Sequence, residues 1–177
     1  GKTTHGFIRG YRKNINNVKT VLTVSKGTMN MSHSLTKIWI HLIFGTKERE
    51  RLINESFEKK LFEHIKQIIE NDFKSLVTAI NGTSDHMHIL MLQNQNYSIA
   101  DITKNVKGNS SHWINQNGFI NFKFAWQTGY GAFSVSESMI EDVKKYILNQ
   151  KEHHKKISFA EEYKKFEEKY GLVSGNR

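Results

Sequence analysis

Two short apolar runs, Leu76 to Ile80 and His86 to Leu92, flank the dipeptide Asn81-Gly82, and no other feature restricts the fold of this chain as tightly. Asn-Gly between apolar runs is a strong local signal for a tight hairpin turn, so the segment predicts two antiparallel strands. Side chains alternate between the faces of a strand, which puts His86 and His88 on one face. Two imidazoles side by side in an apolar strand suit a metal ion and serve no packing purpose. Asp85, just before them, reads either as a carboxylate that orients an imidazole by a hydrogen bond or as a turn residue.

The remaining patterns build outward from the hairpin. Lys37 to Phe44 alternates and is rich in β-formers, a first strand in which His41 reads as a structural residue. Asn54 or Ser56 is placed to cap a helix with the stripe Phe57, Leu61, Ile65, Ile68 and Ile69. Ser98 with Asp101 opens a second helix ending near Gly118. A fourth strand falls within Phe122 to Val135, with a bend or bulge at Gly129 and Gly131. Ser138 with Glu141 reads as a capping box for a helix carrying Tyr146, and Ser158 with Glu161 opens a last helix with the stripe Phe159, Tyr163, Phe166 and Tyr170. The order β-α-β-β-α-β-α predicts an α+β fold of ferredoxin-like type: a βαββαβ antiparallel sheet with added C-terminal helices, one of them carrying the tyrosine.

Tyr146 and Gln150 stand four apart in that helix pattern and share a face. Two imidazoles, an amide oxygen and a phenol make a plausible metal-assisted nucleophilic site. His153, seven residues after Tyr146 and roughly on its face, reads as an exposed basic residue of a charged helix end, with an alternative metal ligand or a phosphate contact as the other readings.

Charge and composition narrow the class. The formal net charge is +9, but residues 1–30 hold six Lys and Arg and no acid, so residues 31–177 carry only +3. Global basicity is therefore a poor argument for nucleic acid. Local charge is better, because no acid lies between Asp101 and Glu137. That stretch interleaves Lys104, Lys107 and Lys123 with Trp113, Phe119, Phe122, Phe124, Trp126, Tyr130 and Phe133, a composition suited to phosphates and stacked bases, although most of these rings are expected in the core. Lys104, Lys107, Lys123, Trp126 and Tyr130 are the candidate nucleic-acid contacts. With no cysteine, thiolate zinc sites and a cysteine nucleophile are excluded, and a reducing, cytoplasmic setting is expected. No apolar run reaches the ~18 residues of a membrane span, and no compact apolar run at the start suggests a signal peptide.

The motifs His86-Met87-His88 and Tyr146-Ile147-Leu148-Asn149-Gln150 resemble those of the single-tyrosine transposases of the HUH superfamily, the small insertion-sequence enzymes that include the repeat-associated tyrosine transposases. Ile40-His41-Leu42-Ile43-Phe44 with Thr46-Lys47, Lys107-Gly108-Asn109-Ser110-Ser111, and the run from Trp126 to Ser134 fit the same pattern in the same order. The resemblance runs from about Ser32 to about Tyr170. It implies one transposase domain over 31–177, with 1–30 an extension outside it.

What the resemblance implies is specific. His86, His88 and Gln150 would hold a divalent metal, Mg²⁺ or Mn²⁺. Tyr146 would attack the scissile phosphate of single-stranded DNA, giving a 5′-phosphotyrosine and a free 3′-hydroxyl, then strand transfer. The partners would be hairpin-containing element ends and a second copy of the chain in a homodimer. Two other readings remain: a non-catalytic single-strand binding module, and a metal-dependent nuclease that uses water.

Overall fold

A computed structural model describes residues 35–154 and 159–169, all within one compact unit that begins at Leu35. The expected extension 1–30 and the last-helix cap Ser158 lie outside the described residues. Four strands, β1 (Ile38–Gly45), β2 (Leu76–Gly82), β3 (His86–Gln93) and β4 (Gly131–Val135), form one sheet in the order β2-β3-β1-β4. Every neighbouring pair is antiparallel. The helices are α1 (Glu58–Gln67), α2 (Ile99–Gln116), α3 (Ile140–Leu148), α4 (Gln150–His153) and α5 (Phe159–Lys169). This is the expected α+β arrangement with added C-terminal helices, and α3 carries Tyr146.

Period-two alternation in the two central strands divides the interior. Leu42 and Phe44 of β1 and Met87, Ile89 and Met91 of β3 meet Leu61 and Ile65 of α1 and Ile102 and Val106 of α2 in the main core. The opposite face carries Trp39, Ala79 and Leu90 against Ile140 and Ile147 of α3, while Ile43 and Phe133 pack with Tyr163 and Phe166 of α5. Because both faces are covered, β3 reads as a continuous apolar run broken only by its histidines. Among the described residues, no helix is long and apolar enough to cross a membrane.

Three local expectations are corrected. Asn81 and Gly82 are not the hairpin turn: they extend β2, pairing with His88 and Met87, and the chain reverses over Thr83 to Asp85, closed by Thr83 N donating to the His86 carbonyl at 2.9 Å. A register shift between Val77 and Ala79 turns Ala79 and Asn81 to the face opposite Val77. There Asn81 Nδ2 donates to the carbonyls of Ile147 and Leu148 at 3.0 and 2.9 Å, satisfying two acceptors that the end of α3 leaves unpaired. Second, the Ser138–Glu141 box does not form; Ser138 lies in a 3₁₀ turn, its hydroxyl paired with Ser136, and α3 starts without a side-chain cap. Third, neither Asn54 nor Ser56 caps α1, which starts after Phe57 without a side-chain cap; Asn54 Oδ1 instead accepts from Ser56 N in the turn before it.

Gly82 has a steric role. A Cβ there would lie 2.3 Å from the His86 carbonyl oxygen and 3.1 Å from Met87 Cα, backbone atoms with no room to yield. Gly82→Ala is expected to cost about 2–3 kcal/mol and to lower the melting temperature by roughly 5–10 °C. A thermal melt within one degree of the wild type would show that the hairpin is looser than described.

Candidate active site

Strand β3 delivers His86 and His88 to the face under α3, α4 and α5, and both are buried. His86 Nδ1 donates to Asp85 Oδ1 at 2.6 Å, and Thr83 Oγ1 donates to the same oxygen at 2.7 Å. Burial works to raise the Asp85 carboxyl, but the hydrogen bonds from His86 and Thr83 and the charges of His86 and Arg49 outweigh it and hold the group at about 2. A carboxylate fixed on Nδ1 leaves the Nε2 lone pair of His86 facing inward, so Asp85 has the orienting geometry rather than a turn role alone.

His86 Nε2 stands 3.0 Å from His154 Nε2. Glu162 of α5 brings Oε2 to 3.2 Å from His154 Nε2, 3.5 Å from His88 Nε2 and 3.8 Å from His86 Nε2. One donor atom from each of these four side chains lies within 4.8 Å of the others. Gln150, fully buried at the start of α4, donates from Nε2 to Glu162 Oε1 at 3.2 Å and comes within hydrogen-bonding reach of His86. His153 is half-buried, with Nε2 3.7 Å from Glu162 Oε1.

Three buried atoms here lack a hydrogen-bond partner: His88 Nε2, Gln150 Oε1 and Glu162 Oε2. Unpaired buried polar atoms are costly, and three in one cluster mark a place built for something else. Donors about 2.1 Å from a shared ion stand about 3.0–3.6 Å apart, close to the spacings just given. Burial lowers His86 and, joined by the neighbouring imidazoles His41, His86, His154 and His153, lowers His88 well below the ordinary range. Their nitrogens are thus available as neutral donors. The His-His-His-Glu group can hold a metal ion.

Tyr146 packs directly on this cluster. Its ring centroid is 5.2 Å from His153, 5.9 Å from His88, 6.2 Å from His41 and 6.2 Å from Phe166, all edge-on. Tyr146 and Gln150 do not share one continuous helix, however. Asn149 (φ −95, ψ 15) breaks it between α3 and α4, so the tyrosine and the amide sit on separate short helices.

The proposed DNA contacts are dispersed elsewhere. An open groove of about 460 Å³ runs between α2 and residues 125–130, lined among others by Lys104, Lys107, Gly108, Gln127 and Tyr130. Its helix packs on the sheet face opposite the imidazoles. Lys104 and Lys123 are exposed, and Tyr130 is 39% exposed. Lys107 is not simply available to phosphate: Nζ donates to the Gln127 and Gly129 carbonyls, each at 2.6 Å, and pins that loop. Trp126 is a core ring, 9% exposed, with Nε1 donating to Ser110 Oγ at 2.9 Å, and only its edge reaches the groove. Exposed Phe122, outside the expected contact set, offers a ring instead.

Sequence reasoning missed His154 and Glu162. His154 is four residues after Gln150, and its amide bonds the Gln150 carbonyl, so the same one-turn spacing that singled out Tyr146 and Gln150 points to it. Glu162 interrupts the apolar stripe of α5 between Phe159 and Phe166, and it is 3% exposed; an acid within an apolar face was the available signal.

A family model described as "Transposase IS200 like" matches residues 34–150. No curated protein matches the sequence. Among solved structures, a candidate transposase from Deinococcus radiodurans R1 is 24% identical with a TM-score of 0.53, covering 71% of this chain and 97% of its own. A REP-associated tyrosine transposase bound to a REP hairpin is 11% identical with a TM-score of 0.52, covering 83% of this chain and 76% of its own. These two share the fold. The family match ends at Gln150, so His154 and Glu162 lie beyond it.

Burial pushes Glu162 from its ordinary 4.5 up to about 8; Asp85 adds to the rise and Arg49 opposes it. The folded chain then binds more protons than the unfolded one between those values, so its stability falls as pH rises through that window. The lowered histidines titrate below their ordinary 6.5, which leaves about 6.5 to about 8 to Glu162 alone among these groups. In chelator, the melting temperature is expected to fall over that interval, and Glu162→Gln is expected to flatten the slope. A slope unaltered in Glu162→Gln would assign the pH effect to another group.

Proposed function

The chain belongs to the IS200-like transposase family, and on that footing we propose that it cuts and rejoins single-stranded DNA with Tyr146 as nucleophile. The observation that carries this reading is the phenol ring packed against a convergent cluster of three imidazoles and a carboxylate. A water-using nuclease would need no such tyrosine, and a binding module would need neither part.

His86, His88, His154 and Glu162 would hold a divalent cation, with Gln150 bonded through Nε2 to Glu162 Oε1 beside them. Three nitrogens favour Mn²⁺ over Mg²⁺, and Zn²⁺ or Ni²⁺ would bind more tightly still. When bound, the ion supplies positive charge to the scissile phosphate's non-bridging oxygens. The chain's own residues do the rest. Tyr146 Oη attacks phosphorus, the bond to the 3′-oxygen breaks, and that oxygen leaves as a 3′-hydroxyl while the 5′-phosphate stays on the tyrosine. Attack by another 3′-hydroxyl reverses the step, so the phosphodiester is conserved and no ATP is needed. A phenol ordinarily ionises near ~10, so its proton must be lost as attack proceeds.

Lys104, Lys123 and Tyr130 are proposed to contact the DNA, with Lys107 shaping the loop they border. The preferred substrate is a hairpin-bearing element end: the hairpin in the related complex is that protein's ligand, and the acid-free stretch suits the same chemistry here. Tyr146 lies beside the imidazoles of its own chain, and a homodimer would hold two ends for rejoining.

On a denaturing gel with Mn²⁺ and labelled single-stranded DNA from its element's ends, the wild type is expected to form a protein-linked band. Tyr146→Phe should abolish the band while DNA binding persists, and His86→Ala should abolish it through weaker metal binding. Cleavage that survives Tyr146→Phe would replace this reading with a hydrolytic nuclease; tight binding with neither product would leave a binding module.

A further inference from the structure

His41 is a buried strand histidine, 2% exposed, on the strand next to β3. In the sheet register His41 pairs with Leu90, and Ile43 with His88, so the His41 and His88 side chains are diagonal neighbours on one face. His41 Nε2 stands 3.0 Å from His88 Nδ1. We propose that His41 is a positioning residue that fixes the tautomer of His88, accepting its Nδ1–H so that a bare Nε2 faces the cation site. This rests on reading the cluster as a metal centre.

The argument turns on one proton. Two neutral imidazoles joined nitrogen to nitrogen share a single hydrogen between them. If His41 donates it, His88 carries its own proton on Nε2. That N–H would then point among Glu162 Oε2 at 3.5 Å and the other donor atoms, and it would exclude a cation. If His88 donates, its Nε2 is a lone pair; that atom is buried without a hydrogen-bond partner, and only as a lone pair can it take a cation. His41 then keeps its proton on Nδ1. His86 reaches the same state by a different device, through Asp85 Oδ1 at 2.6 Å. The two imidazoles of β3 are thus oriented separately, one by a carboxylate and one by an imidazole. The His41 ring also lies edge-on to Phe166 at 5.5 Å and to Tyr146 at 6.2 Å, so packing on both sides holds the acceptor in place.

The test uses the full chain, metal-free and ¹⁵N-labelled at histidine, at a pH where the imidazoles are neutral. Two-bond ¹H–¹⁵N spectra report which nitrogen of His88 is protonated, and Mn²⁺ titration by EPR reports affinity. The expected wild-type result is a protonated Nδ1. His41→Gln, whose Oε1 can stand where Nε2 stood, should keep that tautomer and bind Mn²⁺ within about 3-fold of wild type, whereas His41→Phe should mix the tautomers and weaken Mn²⁺ by about 10–100-fold. A melting temperature near wild type would separate this loss from unfolding; if His41→Phe does not fold, the wild-type tautomer and the Gln variant still decide. Protonated Nε2 in the wild type, or undiminished Mn²⁺ affinity in folded His41→Phe, would overturn the proposal. Absence of Mn²⁺ binding with the Nδ1–H tautomer retained, and lost in His41→Phe, would reject the metal reading and leave the role of His41 standing.

Discussion

Placing three imidazoles, an amide and a carboxylate under helices on one face of a sheet removes them from water, and the surrounding architecture answers that desolvation. An unpaired polar group in such a setting costs on the order of 1–3 kcal/mol. The chain reduces the cost at most of the atoms: Asp85 and Thr83 serve His86, His41 serves His88, and Gln150 serves one oxygen of Glu162. What it leaves unserved are three buried atoms, one each on His88, Gln150 and Glu162. The site is therefore the remainder of an otherwise complete hydrogen-bonding scheme, and its shape is set by what the sheet and α5 could satisfy elsewhere.

Position within the sheet follows from the alternation of β3. Met87, Ile89 and Met91 anchor the strand in the main core, so His86 and His88 cannot leave the opposite face without exposing that core. A one-residue irregularity in β2 brings Asn81 round to that same face, where it holds the end of α3. Tyr146 is thus located by two hydrogen bonds from the strand that borders the histidines. Lys151 pairs with Glu58 of α1 at 2.5 Å, tying α4 to a helix that packs in the main core.

Much of this was legible in the amino-acid order. The apolar periods of β1, α1, β3 and α2 are strong because each element buries one or both faces, and the His-Met-His alternation needs only the geometry of a strand to place both rings together. The hairpin turn was misplaced because Asn81-Gly82 carries a local preference that tertiary contacts override: Asn81 is worth more pinning carbonyls, and Gly82 is required by close approach to the His86 backbone. The Ser138 box failed for a similar reason, its hydroxyl being taken by Ser136. His154 and Glu162 were hidden because a histidine in a Lys-rich stretch and an acid in a Glu-rich helix look solvated in one dimension; only docking of α5 makes them interior. Trp126 and Lys107 carry internal contacts that composition does not reveal, since it cannot tell a ring or an ammonium spent on the fold from one offered to a ligand.

The helix break at Asn149 separates the residue proposed to carry DNA from the residues proposed to carry the ion. A tyrosine bonded to a polynucleotide is a lever: thermal motion of the strand pulls on its Cα. In a single rigid rod from 140 to 154 that torque would pass straight to Gln150 and His154 and distort the coordination shell with every excursion of the cargo. A non-helical residue between the two, with the Ile147 and Leu148 carbonyls moored to Asn81, grounds the load in the sheet before it reaches the ligands. If Tyr146 carries DNA as proposed, such a joint would let one short helix bear tension while the next keeps its alignment.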